Sequence, residues 1–165
     1  MEYVIRKRNK EDIKDVERVV TLGWNQTYKG LVSDGLLDYI REHESDRVKK
    51  RLEDFNDEEN DYIVLEVDGK VVGFAKYGVA DYDGYGELFA LYVLKEYHGH
   101  GFGKLLVQEV SKILKMRGFN KMVIGCLVGN PSNEFYKHLG GVLKEQKTSV
   151  RLNEEMTDNV YEFNI

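Results

Sequence analysis

Eight consecutive residues, Tyr97-His98-Gly99-His100-Gly101-Phe102-Gly103-Lys104, hold the clearest chemistry in the chain. Glycines at alternate positions free the backbone to bring successive N–H groups close to a ligand. The helical periodicity that follows adds the positive end of a helix dipole at the same place. Such a segment suits a phosphate or a diphosphate. A tight strand-to-helix turn would use two of these glycines, and three exceed that need. Spacing narrows the ligand. The dinucleotide fingerprint G-x-G-x-x-G, started at Gly99, meets Lys104 where glycine is required. The P-loop pattern ending in Gly103-Lys104 meets His98 and Leu105 in place of Gly and Ser/Thr.

The charge distribution points to the same segment. The 165 residues carry a formal net charge of −5, yet Lys95 to Lys121 holds six Lys/Arg against Glu96 and Glu109, a local +4. A positive stretch in an acidic chain fits one anionic small ligand held in one place, or else a solvated helix face. The acidic total argues against a general nucleic-acid binder, which neutralises phosphates with surplus cations. Cys126 stands alone and the four histidines are scattered, so neither an internal disulfide nor a structural metal is expected. With 42% apolar residues and no apolar run of membrane-spanning length, the chain is expected to be soluble, without a membrane segment or secretory signal, and cytoplasmic.

The elements that must position this segment follow from periodicity. Tyr3-Val4-Ile5 reads as a first strand. Asn9 caps a helix whose apolar face is Ile13, Val16, Val19, Val20 and Trp24. Further helices are expected over Ser33 to Ile40 and Glu44 to Phe55, followed by the acidic run Glu53 to Asp61 as a solvated loop. Tyr62 to Val67 and Lys70 to Val79 form a hairpin about Asp68-Gly69. Glu87 to Leu94 is so continuously apolar that it reads as a central strand buried on both faces. A helix from Phe102 to Arg117, ended by Gly118, leads to a strand over Lys121 to Val128, making a parallel strand-helix-strand unit. Asn130-Pro131 opens a short helix to Leu139, and strands near Val142 to Val150 and Asn159 to Asn164 close the chain. No repeat, linker or composition shift divides residues 1–165, so a single α/β domain is expected.

Three stretches, Glu87-Leu88-Phe89-Ala90-Leu91-Tyr92-Val93, His98 to Leu106 and Asn130 to Gly140, together resemble the GCN5-related N-acetyltransferase family. The resemblance is strong over Tyr62 to Gly141. It departs at His98, where the family's Arg/Gln-x-x-Gly-x-Gly/Ala loop begins with another residue. That position contributes mainly through its backbone. The resemblance implies an α/β acyl-CoA N-acyltransferase fold: a mixed, mostly antiparallel sheet of six or seven strands, splayed between the fourth and fifth and flanked by helices. It further implies acetyl-CoA as cosubstrate and CoA as product. The backbone of Leu91, Tyr92 and Val93 would meet the acetyl and pantetheine groups. His98, Gly99, His100, Gly101, Phe102, Gly103 and Lys104 would cradle the diphosphate, and Asn130 and Asn133 would lie along the pantetheine. Tyr136 would stand near the thioester sulfur.

Elementary acid–base chemistry extends this picture. An amine acceptor with a pKa of about 10.4 is charged at pH 7, and freeing its lone pair costs about 4.6 kcal/mol, so a base or a water relay is required. Glu87, opening the central strand, is the candidate, the alternative being that it only orients the strand. The leaving thiolate needs a proton, and the phenol of Tyr136 can supply one, unless the ring serves for packing alone. Cys126, mid-strand and flanked by apolar residues, reads as core and not as nucleophile. Trp24 and Tyr28, with Tyr39, could line an aromatic acceptor wall or belong to the core. Asp81, Asp83, Glu87 and the acidic run favour a cationic acceptor such as a small amine, a polyamine, a lysine side chain or a peptide amino terminus. A homodimer is a further expectation. The competing readings are a non-catalytic acyl-CoA-binding module and a nucleotide-binding α/β protein.

Overall fold

In a computed structural model, which describes residues 1–165, the chain folds into seven strands and five α-helices. They run β1 (Tyr3–Lys7), α1 (Ile13–Thr27), α2 (Asp34–Glu42), α3 (Glu44–Glu53), β2 (Tyr62–Val67), β3 (Lys70–Val79) and β4 (Gly86–Val93). Then come α4 (Phe102–Met116), β5 (Lys121–Leu127), α5 (Ser132–His138), β6 (Val142–Arg151) and β7 (Glu154–Asn164). Hydrogen bonding orders the strands β1-β2-β3-β4-β5-β7-β6. The β4–β5 pair is parallel, while β1–β2, β2–β3, β5–β7 and β6–β7 are antiparallel. This is the expected mixed sheet with its flanking helices, and seven is the strand number. No helix is long and apolar enough to cross a membrane.

The chain forms two compact units. The first comprises Met1–Lys76 with Ala90–Leu106, the second Tyr77–Phe89 with Val107–Ile165. In the first, Ile13, Val16 and Val19 of α1 and Leu36, Leu37 and Ile40 of α2 are buried, as their helical spacing requires. Asn9 caps a short 3₁₀ turn, Lys10–Asp12, that leads into α1, and its capping box closes through Asp12. Ser33 caps α2, its hydroxyl accepting from Leu36 N–H at 3.1 Å. Asp68 (φ 48°) and Gly69 (φ 82°) turn the β2–β3 hairpin in the left-handed region that an Asp-Gly pair tolerates. On β3, a side chain at Gly73 would put Cβ 2.7 Å from the Tyr92 carbonyl oxygen. A backbone oxygen cannot swing aside. Gly73→Ala is therefore expected to cost about 2 kcal/mol and to lower Tm by roughly 4 to 8 °C in calorimetry.

In the second unit, Val107, Val110 and Leu114 of α4 are buried, and Leu114 packs on the bare backbone of Gly86. Met122, Val123, Ile124 and Cys126 of β5 and Val160, Tyr161 and Phe163 of β7 complete the core. Here the structure corrects one expectation. β4 is central, but it is not buried on both faces: Phe89 is 46% exposed and the residues after it are half-buried. The β4–β5 ladder pairs only Gly86, Glu87 and Leu88, with Met122, Val123 and Ile124, so from Phe89 on β4 has lost that neighbour. The last hairpin is also longer than its sequence suggests. β7 starts at Glu154, because Leu152 and Asn153 both adopt positive φ (50° and 64°) and form a two-residue turn.

Candidate active site

In the first unit, the glycine segment is built at the end of β4. Leu94 N–H bonds to Val72 O (2.9 Å), and a 3₁₀ turn, Lys95–Tyr97, carries the chain round to His98. The imidazole Nε2 of His98 donates back to Val93 O at 2.7 Å, so the departure from the family loop fastens this segment to the strand it leaves. Gly99 (φ 84°) and Gly101 (φ 77°) lie in the left-handed region, where a side chain would be strained although the space around both is open. Phe102, 4% exposed, anchors the start of α4 edge-on to Tyr3 at 5.3 Å. Leu105 N–H closes the first helical bond on Gly101 O (3.1 Å), which leaves the preceding N–H groups outside the helical ladder. Exposed glycines, outward N–H groups and a helix N-terminus form a cradle that fits a diphosphate.

The same unit places the aromatic residues. The Trp24 and Tyr28 rings meet edge-on at 4.5 Å and are half-buried, neither core nor fully open. Tyr39 is 44% exposed and stacks on His43 at 3.9 Å, so it belongs to the helix surface. The Tyr92 ring lies against Gly23, whose missing side chain makes room for it, and 5.5 Å from Phe74. Gln26 joins the end of α1 to the turn after β4, its Oε1 accepting from Lys95 N–H at 3.0 Å. Trp24 and Tyr28 thus pair with each other at the end of α1, while Tyr92 of β4 packs on α1 at Gly23.

The second unit holds Glu87 and Tyr136. Glu87 is half-buried, and its carboxyl is pushed up to about 7, first by burial and then by Asp81. Asp158 adds to the rise, and the Lys147 ammonium opposes it. A carboxyl at that value is half-ionised near neutrality. Asp158 is itself held by Arg151, at 3.1 Å to each oxygen, and leans over the bare backbone of Gly125. Lys144 and Lys147 of β6 lie over the Tyr82 ring, at 5.2 and 5.6 Å. Lys147 and Asp158 escaped sequence reasoning because they join Glu87 only through β6 and β7, which no local pattern connects to β4.

On α5, Tyr136 is 6% exposed, with its ring 5.2 Å from Phe135 and 6.3 Å from Tyr161. Asn130 Oδ1 accepts from Ser132 N–H at 2.8 Å, the capping bond expected of it, although the regular helix begins at Ser132. Asn133 is engaged within the unit: its amide donates to Leu127 O (2.9 Å) and Asn130 O (2.7 Å). Its oxygen accepts from Tyr161 Oη (2.7 Å) and Asn159 Nδ2 (3.0 Å). The Cys126 thiol is buried and pushed up to about 12, which leaves it protonated and inert as a nucleophile at neutral pH. Native protein treated with iodoacetamide at pH 8 is expected to stay unmodified at Cys126 by mass spectrometry, with Cys126→Ala matching the parent in activity.

Comparison with known proteins agrees with this geometry. The model of the Acetyltransferase (GNAT) family matches residues 24–140. A Bacillus subtilis (strain 168) protein named uncharacterized N-acetyltransferase YuaI is 31% identical over 137 residues, covering 81% of this chain and 76% of its own. The spermidine N(1)-acetyltransferase of Thermoplasma acidophilum is 29% identical over 123 residues, 72% of this chain and 74% of its own. Among solved structures, the PaiA N-acetyltransferase of T. acidophilum in complex with coenzyme A superposes with a TM-score of 0.73 at 23% identity. It covers 100% of both chains. The chain belongs to the GNAT family. It is an acetyl-CoA-dependent N-acetyltransferase.

Proposed function

We propose that this enzyme acetylates a small cationic amine, a polyamine before a peptide or lysine amine, with Glu87 as the base and Tyr136 as the acid. The observation that carries the proposal is the setting of Glu87. Its carboxyl sits at about 7, and Asp81 and Asp158 add negative charge beside it. A carboxylate there holds a proton more firmly than an ordinary one and so draws it more effectively from an incoming ammonium, directly or through water. The acidic neighbours favour an acceptor with a second positive charge. The T. acidophilum relative that acts on spermidine supports that preference.

Acetyl-CoA supplies an activated acyl group on a thiol leaving group. Toward it, the N–H groups from Gly99 to Lys104 would bind the diphosphate, and the backbone of Leu91, Tyr92 and Val93 would orient the pantetheine and acetyl ends. Asn130 and Asn133 would fix the start of α5 and with it Tyr136, whose phenol gives the departing thiolate its proton. Trp24 and Tyr28 would contact the acceptor through their half-buried rings, as aromatic faces do with cations. The chain would work as one domain, residues 1–165, in the cytoplasm.

The test is release of free CoA thiol from acetyl-CoA with spermidine, spermine, putrescine, a lysine peptide and a neutral arylamine. Polyamines are expected to turn over fastest and the arylamine slowest. Tyr136→Phe is expected to lower kcat by about tenfold to a hundredfold, with the KM for acetyl-CoA within a few-fold. Equal rates on charged and neutral amines, or full activity in Tyr136→Phe, would sink these assignments.

A further inference from the structure

Phe89 is a large apolar side chain in the middle of a central strand, yet 46% of it is exposed. Its direction follows from its neighbours on β4. A Cβ at Gly86 would meet Leu114 of α4 at 2.7 Å, and Leu88 is 2% exposed, so positions 86 and 88 face the helix. Strand alternation puts Glu87 and Phe89 on the opposite face, about 6.7 Å apart along the chain. Phe89 is therefore the next side chain after Glu87 on the face that carries the carboxyl.

The strands on either side leave room around that ring. On β3, Phe89 lies over Gly78, where a Cβ would stand 2.9 Å from Phe89 Cε2. On β5, the position after the Leu88–Ile124 pair is Gly125, which is exposed and from which β4 has already parted. Gly125 shares its face with Val123, the partner of Glu87, and its missing Cβ would lie 3.6 Å from Asp158 Oδ2. Glycine on both flanks leaves an aromatic floor with the Glu87 carboxyl at one end. All of these residues belong to the second unit.

What can lie on that floor follows from its chemistry. The Asp158 carboxylate is engaged by Arg151 through both oxygens, which leaves Glu87 to meet an incoming cation. A phenylalanine ring has no hydrogen-bonding atom. A polar group laid over it would give up water without a replacement partner. A methylene chain loses no hydrogen bond there and gains by leaving water. A carboxyl followed on the same face by an exposed aromatic ring suits an ammonium carried on an aliphatic stem.

We propose that Phe89 determines acceptor specificity: its ring takes the methylene stem of a linear aliphatic amine whose nitrogen stands at Glu87. This rests on the reading of Glu87 as the base, and the test is chosen to fail separately from it. Ethylamine, butylamine and hexylamine, each with a single charge, are titrated by calorimetry into the full chain saturated with CoA, so that binding is read without chemistry. In the parent, affinity is expected to rise about twofold for each added methylene, roughly tenfold or more from ethylamine to hexylamine, because the stem is covered on one side only. Phe89→Ala should bring the three amines within about threefold of one another, whereas Phe89→Leu, still apolar, should keep most of the gradient. In turnover, Phe89→Ala should raise the KM for hexylamine about tenfold, with kcat and the KM for acetyl-CoA within about twofold. A gradient that survives Phe89→Ala, a flat gradient in the parent, or a loss that falls on the KM for acetyl-CoA would overturn the assignment. Full turnover in Glu87→Gln would instead remove the base, while the binding gradient still decides the role of Phe89.

Discussion

Replacing Glu87 by Gln is expected to lower kcat by about 10²-fold or more at pH 7.5 while making the protein slightly more stable. The loss follows from removing the only proposed proton acceptor for the ammonium, since positioned bases contribute 10²–10⁴-fold. The parent enzyme's kcat/KM should rise with pH through about 7, because the ionised carboxylate is the active form, and that inflection should vanish in the variant. The stability gain follows from linkage. The Glu87 carboxyl ionises at about 7 in the fold against an ordinary 4.5. The folded chain therefore holds this proton more tightly than the unfolded chain does. Its contribution to stability is complete below about 4.5 and is lost as pH rises through about 7. Above that, a half-buried carboxylate stands next to Asp81 and Asp158, and Gln removes the conflict. Allowing for solvent screening of this half-exposed group, the gain is about 1 kcal/mol, or roughly 2 to 4 °C in Tm at pH 8. It should shrink to nothing near pH 4.5. Unchanged pH dependence in Glu87→Gln would assign proton removal to another group.

Gly101→Val is expected to raise the KM for acetyl-CoA by about 10²-fold with a much smaller change in kcat. At φ 77° a β-branched residue is strongly disfavoured, by about 1–3 kcal/mol, although nothing lies within 4 Å of the site a Cβ would take. The strain therefore acts on the backbone. Relief would rotate the N–H groups on either side of residue 101 out of the cradle and misdirect the first turn of α4. Since the diphosphate does not react, the lost interaction is uniform binding, which appears in KM. Titration calorimetry with CoA should show the same loss. Gly69→Val, at a φ of 82° in the β2–β3 turn, imposes comparable strain far along the chain from the cradle and should spare CoA affinity. If Gly101→Val binds CoA as the parent does, the diphosphate lies elsewhere.

Much of this protein can be read along its chain because the determining forces there are local. The alternate glycines at 99, 101 and 103, followed by an apolar helical stripe, specify a strand-to-helix turn with exposed N–H groups. The Asp68-Gly69 pair specifies a hairpin, and the apolar runs at 62–67 and 121–127 specify buried strands. Both closing strands are legible, but the place of their turn and the start of β7 at Glu154 are not, because Leu152 and Asn153 enter the left-handed region without the glycine that signals such a turn. The continuous apolar run of β4 concealed its partial exposure as well. Composition records what a strand can bury, but whether a neighbour is present depends on where the β4–β5 ladder ends, at Leu88 and Ile124.

The site divides along the same line. A carboxylate at 87 and a phenol at 136 are visible as candidates from residue type. The proton affinity of Glu87 is not, because it comes from burial and from the long-range fields of Asp81, Lys147 and Asp158, which reach it from a loop and two later strands. The sequence alone determined where backbone donors are offered and which family of sheet carries them, since both depend on backbone freedom and apolar spacing. Only the tertiary structure decided how strongly Glu87 holds its proton and where β4 loses its neighbour β5. Desolvation and Coulomb energy depend on distance through space, which distance along the chain does not record.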